Sequence, residues 1–261
     1  MEHVKVRGII LREIDYREAD RIIDILTAEC GLVTATARGA RRQKSPLLPS
    51  TQVLGFCDFE LFRNARTGMF TVDFASRVAD FRRIRENIER LVCAAHLAEL
   101  MGDAARDDHS ESSDLFRLMA VSLAALDRED RDPLLVVRAF EIRLMCMLGF
   151  MPILDACAVC GGELPPDGSR FGFSVCGVVC SAAACQARAG ERLFATDGAL
   201  ACMRYLRDAP LDRLFSFRLD RRDFDSLSQI SERFVSEQME KRYGRLDMLA
   251  TLQPKEAVSA E

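Results

Sequence analysis

The spacing of apolar residues changes period once along this chain, and that change limits what it can fold into. From Val4 to Val78 the apolar residues fall in short β-branched or aromatic runs separated by polar turns. Val4–Leu11, Arg21–Thr27, Leu32–Ala37, Gln52–Phe62 and Met69–Ala75 read as strands, with "AECG" and "RNARTG" as glycine-containing turns. Five short strands in under 80 residues suit a small closed barrel. After Phe81 the period becomes helical. "RENIERLVCAAHLAELMGDAAR" places Ile88, Leu91, Val92, Ala95 and Ala98 along one face. "SSDLFRLMAVSLAALDRE" opens on a Ser/Asp cap, and "PLLVVRAFEIRLMCMLGF" runs from Pro133 to a stop at Gly149. "LFATDGALACMRYLRD" and "DRRDFDSLSQISERFVSEQMEKRYG" predict two further helices. The expected class is α+β. A barrel domain spans residues 1–80 and a helical domain 81–252, interrupted by a cysteine-rich insert at 154–190, with a frayed polar tail at 253–261.

A net charge of −4 excludes a protein that coats nucleic acid by bulk charge, though it leaves room for a local basic patch. No run of 18 apolar residues occurs, so no membrane span is expected. "MEHVKVRGIILREID" carries charges inside its apolar stretch and does not read as a secretory signal. The expected compartment is therefore the cytoplasm, where disulfides are rare and cysteine clusters favour metal. Of the ten cysteines, Cys30, Cys57, Cys93, Cys146 and Cys202 stand singly and read as small buried hydrophobes.

The other five lie in "CAVCGGELPPDGSRFGFSVCGVVCSAAAC". Cys157 and Cys160 form one knuckle, and Gly161 and Gly162 let the backbone turn beneath a metal. A second pair would close a tetrahedral thiolate site, structural because no open position remains for water or substrate. Three cysteines compete for those two places. Cys176 with Cys180 gives a gap of 15 residues after Cys160, within the usual ribbon range, whereas Cys180 with Cys185 gives a looser knuckle. A redox role for the first CxxC lacks the strand and helix context that such motifs need.

The second feature is "ATARGARRQKSPLLPS", which carries Arg38, Arg41, Arg42 and Lys44. No carboxylate occurs from Cys30 through Cys57, so the segment is purely cationic in sequence. Cations on a barrel loop can hold phosphates, each contact releasing a counterion. Stacking on bases would fall to Tyr16, Phe56, Phe59, Phe62, Phe70 or Phe74, since the chain has no Trp. The bland alternative is a solvated loop. Further basic clusters at Arg82, Arg83 and Arg85, and at Arg213, Arg218, Arg221 and Arg222, either extend the patch or are exposed helix faces.

Motifs for a P-loop, a dinucleotide fold and a zinc protease helix are absent. His96 reads as a hydrogen-bonded core residue and His109 as solvated. No nucleophile–base–acid set can be assembled, so the chain reads as a binding protein and not as an enzyme.

"VRGIILREIDYREADRIIDILTAECGLVTATARGARRQKS", followed by helices and by "MPILDACAVCGG" and "FGFSVCGVVC", resembles the bacterial RecO family of DNA repair proteins. The resemblance runs from Val4 to Leu249. It implies an OB-fold barrel, a helical domain with one structural Zn²⁺, and binding of single- and double-stranded DNA. It also implies annealing of complementary strands and help in loading the RecA recombinase, the RecFOR route of recombination after DNA damage. The implied partners are RecR and the C-terminal tail of single-strand DNA-binding protein, and the implied place is the nucleoid. In the family pattern a Gly-Gly pair precedes the second knuckle. Cys176 stands where the first of those glycines would be, so Cys180 matches the third ligand and Cys185 becomes the fourth. The expected ligands are Cys157, Cys160, Cys180 and Cys185, with Cys176 as substitute. The expected DNA contacts are Arg38, Arg41, Arg42 and Lys44, with Arg7 and Arg66 beside them. Two rivals remain: a zinc-stabilised interaction hub that binds no DNA, and a thiol oxidoreductase using Cys157 and Cys160.

Overall fold

The computed structural model describes residues 2–65, 67–107, 113–165 and 169–252. The expected tail at 253–261, with His109 and Arg66, lies outside the described residues. The chain divides into two compact units, one from Met1–Asp130 with the stretch from Tyr243 onward, the other from Arg131–Arg242.

In the first unit β1 (Glu2–Tyr16), β2 (Asp20–Thr27), β3 (Gly31–Ala37), β4 (Phe56–Arg63) and β5 (Phe70–Ala79) form a closed barrel in the order β1-β2-β3-β5-β4. Alternate side chains point inward, as a period of two requires. Val6, Ile10, Ile23, Ile25, Val33, Ala35, Cys57, Phe59, Leu61 and Val72 fill the interior. β1 continues to Tyr16, well past the expected end at Leu11. Its first half pairs with β4 up to Ile9↔Phe56, and from Gly8 onward it pairs with β2, with a register shift between Ile10 and Arg12. One long strand with a bulge thus serves both neighbours, which is how so small a barrel turns its corner. β3 and β5 meet in parallel only at Ala35↔Phe70 and Thr36↔Thr71.

Helices α1 (Arg82–Glu86), α2 (Ile88–Asp107) and α3 (Ser113–Leu126) belong to the same unit. The Phe56 ring packs against Phe81 and Phe116, with centroids 6.4 and 5.8 Å away. Asp24, only 4% exposed, accepts a hydrogen bond from Thr34 and pairs with Arg12 at 2.9 Å and with Arg106 of α2 at 3.4 Å. A buried carboxylate needs such partners, and here they fasten the helix to the barrel. His96 is buried in α2, edge-on to Tyr243.

The second unit holds α4 (Pro133–Met147), β6 (Ser169–Gly172), β7 (Gly177–Val179), α5 (Ala183–Arg188), β8 (Arg192–Ala195), α6 (Asp197–Asp208) and α7 (Arg221–Gln238). Capping explains the starts. Asp132 accepts from the N–H of Leu134 ahead of Pro133, Thr196 from Ala199, and Asp220 from Asp223. The region is not helical throughout: β7, β6 and β8 form a small antiparallel sheet in that order. The "LFA" expected to begin the helix of "LFATDGALACMRYLRD" belongs instead to its third strand, Arg192–Ala195. The chain then returns to the first unit with α8 (Asp247–Leu252).

One ion pair is fully enclosed in the second unit. Arg138 donates to both oxygens of Glu141 at 3.1 and 2.9 Å, and Ser231 of α7 donates to Glu141 at 2.6 Å. The two side chains are 8% and 2% exposed. Arg138→Ala is expected to cost about 3–5 kcal/mol in denaturant unfolding, because it strands a buried carboxylate. Replacing both residues by apolar ones of similar volume should cost far less, and an equal loss would contradict this account.

Among the described residues no helix is long and apolar enough to cross a membrane. Cys57, Cys93, Cys146 and Cys202 are buried as expected, whereas Cys30 is exposed at the β2–β3 turn. Burial pushes the thiol of Cys146 up to about 11 and that of Cys202 to about 12, which keeps both protonated and inert.

Candidate nucleic-acid interface and metal centre

The cationic loop is built on two buried anchors. Ala40 and Leu47 are part of the barrel's core cluster. They leave Arg38, Arg41, Arg42 and Lys44 exposed. Gly39 takes a left-handed φ of 65°, and its N–H donates to Asp20 at 2.8 Å. Turns follow in series, from Arg42 N–H to the Gly39 carbonyl and from Ser45 N–H to the Arg42 carbonyl. Downstream, Arg21 donates to the Thr51 carbonyl, Arg77 to the Pro49 carbonyl, and the Val53 N–H to Glu13. The loop is therefore an ordered display of cations.

The four cations are not equivalent. Arg41 pairs with Asp15 at 3.2 Å, its guanidinium donates to the carbonyls of Arg17 and Glu18, and its N–H donates to the Ala19 carbonyl. It stitches the loop to the β1–β2 turn. The carboxylates missing from the segment's own sequence arrive from 20 or so residues upstream, through Asp15 and Asp20. Arg38, Arg42 and Lys44 have no ion pair among the described residues. Arg7 lies on another face, where it forms a two-point bridge to Asp58 at 2.7 and 3.1 Å, beside Lys5 and Glu60 on the same pair of strands. The Arg7 hydrogen bond holds the Asp58 carboxyl below the usual carboxylate range, so this face is neutralised from within. Arg82 and Arg221 are likewise paired, with Glu86 and Asp225.

Of the aromatic candidates, Phe59 fills the barrel, Phe56 packs on Phe81, and Phe62 lies against His3. Tyr16 and Phe74 are 39% and 54% exposed, and Phe70 is half-buried. Two arginines absent from the sequence reading join them. Arg17 sits 5.0 Å from the Tyr16 ring centroid, and Arg63 sits 5.7 Å from that of Phe70. Each lies where a strand runs into a turn, next to an aromatic or opposite one across the hairpin, and that position was the available signal.

In the second unit the sulfurs of Cys157, Cys160, Cys180 and Cys185 all lie within 4.8 Å of one another. The first knuckle turns on itself, with Cys157 N–H donating to the Gly162 carbonyl and Gly161 N–H to that of Cys157. A Cβ on Gly162 would stand 3.3 Å from the Cys160 sulfur, so a glycine leaves that thiol its place. Ala158 N–H donates to the Val178 carbonyl, which aligns the knuckle with β7. β7 delivers Cys180 at its end, and the first turn of α5 delivers Cys185. That strand-to-helix turn is why the second pair spans the wider spacing. Cys176 stands apart, with φ 47° and its thiol directed at the Phe150 carbonyl.

Zn–S bonds of ~2.3 Å in a tetrahedron put sulfurs about 3.8 Å apart. The Cys160 and Cys180 sulfurs are 3.9 Å apart. The donor set therefore fits a soft, tetrahedral dication. Four thiols this close cannot all ionise unaided. Burial works against ionisation of Cys157, but the N–H groups of Cys180, Cys160 and Val159 outweigh it and hold that thiol down at about 6. Cys185 is pushed up to about 12 by the Cys180 sulfur beside it and by burial.

Comparison with known proteins agrees over most of the chain. The family model "Recombination protein O N terminal" matches residues 1–81, and "Recombination protein O C terminal" matches residues 85–247. The DNA repair protein RecO of Acetivibrio thermocellus is 36% identical over 252 residues, 97% of this chain and 98% of the relative. The protein of the same name from Symbiobacterium thermophilum is 32% identical over 95% of this chain and 96% of its own length. That of Anaeromyxobacter sp. (strain K) is 35% identical over 81% and 82%.

Proposed function

This chain belongs to the RecO family of DNA repair proteins, and from that premise we propose that it binds single- and double-stranded DNA and anneals complementary strands. In this reading it also helps load RecA onto single strands coated by single-strand DNA-binding protein, with RecR and the coating protein's C-terminal tail as partners. It acts by holding strands, not by catalysis. The observation that carries the reading is the row of exposed cations Arg38, Arg42 and Lys44, which have no ion pair among the described residues and are fixed by a loop with buried anchors.

The mechanism is electrostatic. Two strands approaching each other repel through their phosphates. A cationic loop bound to both lowers that repulsion, and base pairing then selects the partner. Arg41 contributes less to the field than its neighbours because Asp15 faces it, and Arg7 contributes least because Asp58 neutralises it. Cys157, Cys160, Cys180 and Cys185 would hold a Zn²⁺ that would supply structure to the insert and, with four thiolates around it, would leave no open position for chemistry.

The test is an annealing assay with complementary labelled oligonucleotides. The protein should speed annealing at low salt and lose the effect as salt rises, because counterion release drives binding. Acceleration that is indifferent to salt would contradict the mechanism.

A further inference from the structure

We propose that Cys160 and Cys180 form an oxidation site: hydrogen peroxide joins them in a disulfide that replaces the metal as the staple of the insert. The proposal rests on the four-thiolate site above and is independent of whether the cationic loop binds DNA.

The fold sets these two sulfurs side by side. The segment leading into the first knuckle runs parallel to β7, joined at Ile153↔Gly177. Ile153 N–H donates to the Cys176 carbonyl, Val178 N–H to that of Ile153, and Ala158 N–H to that of Val178, at 2.9, 2.9 and 2.8 Å. Cys160 lies two residues beyond Ala158, and Cys180 two beyond Val178. The register that aligns the knuckle with the strand therefore also brings the two cysteines together. Their sulfurs are 3.9 Å apart. A disulfide bond is about 2.05 Å long, so closure needs a shift of about 2 Å shared between them. The tip of the knuckle has room for that shift, since a Cβ on Gly161 would meet nothing within 4 Å.

Accessibility singles out the same pair. Cys160 is exposed and Cys180 half-buried, whereas Cys157 and Cys185 are buried. Each knuckle thus offers one outer thiol and keeps one inside. An oxidant in solution reaches the outer thiols first. Cys176 does not compete, because its thiol is turned to the Phe150 carbonyl.

The chemistry balances with one peroxide. The sulfur of Cys160 attacks a peroxide oxygen and the O–O bond breaks. The departing hydroxide takes up a proton to become water, and Cys160 is left as a sulfenic acid. The sulfur of Cys180 then attacks that of Cys160, the S–O bond breaks, and a second water leaves as the S–S bond forms. Two thiols have lost two electrons and two protons, and hydrogen peroxide has become two waters. The inner pair alone offers two sulfur donors, too few to close a tetrahedral thiolate site, so the metal is released. The new bond spans 20 residues and joins the two halves of the insert that the four thiolates would otherwise hold around one ion. The insert exchanges one staple for another instead of unfolding.

The test treats the zinc-loaded full chain with one equivalent of hydrogen peroxide. Zinc release is read with a chromogenic chelator, the disulfide by peptide mapping without reductant, and the fold of the insert by limited proteolysis. About one zinc should leave for each disulfide formed. The disulfide should link Cys160 to Cys180, and a thiol reductant with added zinc should reverse both changes. Compared with the chain stripped of metal and kept reduced, the oxidised chain should be cut within the knuckles about a hundredfold more slowly, the effect of closing a loop of this size. Cys185→Ser removes an inner donor but keeps the pair, and should gain the same protection on oxidation, whereas Cys180→Ser should gain none. Peptide mapping and proteolysis need no metal, so a chain that takes up no zinc still tests the pair. A disulfide between other cysteines, Cys160 carried on to sulfinic acid without a cross-link, or thiols left intact by peroxide would overturn the site. A Cys160–Cys180 disulfide whose knuckles are cut as fast as those of the reduced metal-free chain would overturn the staple.

Discussion

Replacing Cys185 by serine is expected to abolish zinc binding, while Cys176→Ser leaves it intact. The sulfur of Cys185 stands with those of Cys157, Cys160 and Cys180, and Cys176 is engaged elsewhere. Loss of a ligand should unfold the insert as well as empty it. The buried members of the apolar cluster at the thiols are Cys157, Val179, Cys185 and Ala189, with Val159, Leu164, Val175 and Cys180 partly buried against them, so two of the four buried members are themselves candidate ligands. Phe171, Phe173 and Val178 are buried elsewhere in the insert, with Phe171 packed on Phe234, so the knuckles and α5 are the part that would depend on the metal, whose binding free energy of ~10–16 kcal/mol for structural zinc is also folding energy. Metal analysis should give about one zinc per wild-type chain, as a closed four-thiolate site requires, and close to none for Cys185→Ser. Limited proteolysis should cut the variant within residues 154–190 and spare the barrel. A zinc-free Cys176→Ser beside a zinc-loaded Cys185→Ser would refute the assignment.

The same site should respond to acid. Cys157 ionises at about 6 in the fold against an ordinary value of 9.0. A thiol lowered in this way favours the folded state fully above the ordinary value, and the contribution is lost as pH falls through about 6. Protons compete with the metal for the other thiolates as well, so zinc retention should fall as pH falls, most steeply below that point.

The barrel was legible because its alternation is plain where one face is buried. Val33, Ala35 and Ala37 are buried and Thr34 is exposed between them. The second half of β1 was not, because "REIDY" pairs with β2 alone and lies near the surface, where its Ile14 is 42% exposed. The small sheet escaped for another reason. β6, β7 and β8 are three or four residues long and too short to display a period. The start of α4 followed from a local signal, Pro133, and the Asp132 side chain caps it.

At the candidate sites, spacing alone preferred Cys176 with Cys180. What decided the geometry is that Cys180 ends a strand and Cys185 begins a helix, a tertiary fact. The cationic segment was visible as composition, but the inequality of its cations was not. Arg41 finds Asp15 and Arg7 finds Asp58 only once β1 has been folded against its neighbours. Arg17 and Arg63 gained their aromatic partners in the same way.

The second large effect is expected from reversing the loop's charge. Arg38→Glu, Arg42→Glu and Lys44→Glu remove three cations that have no ion pair among the described residues, and all three are exposed, so the fold should survive. At ~0.7 counterions per phosphate on a single strand, three lost contacts correspond to about two to three decades of affinity at 50 mM salt. They also correspond to a fall of about 2 in the slope of log affinity against log salt. Arg7→Ala should change neither quantity noticeably, because its charge is already met by Asp58. The measurement that tests the account most directly is therefore fluorescence anisotropy on a labelled single strand across a salt series, wild type against the triple variant. The account predicts that affinity and slope fall together. Wild type and variant binding alike, with the same slope, would contradict it and would make the loop a solvated one.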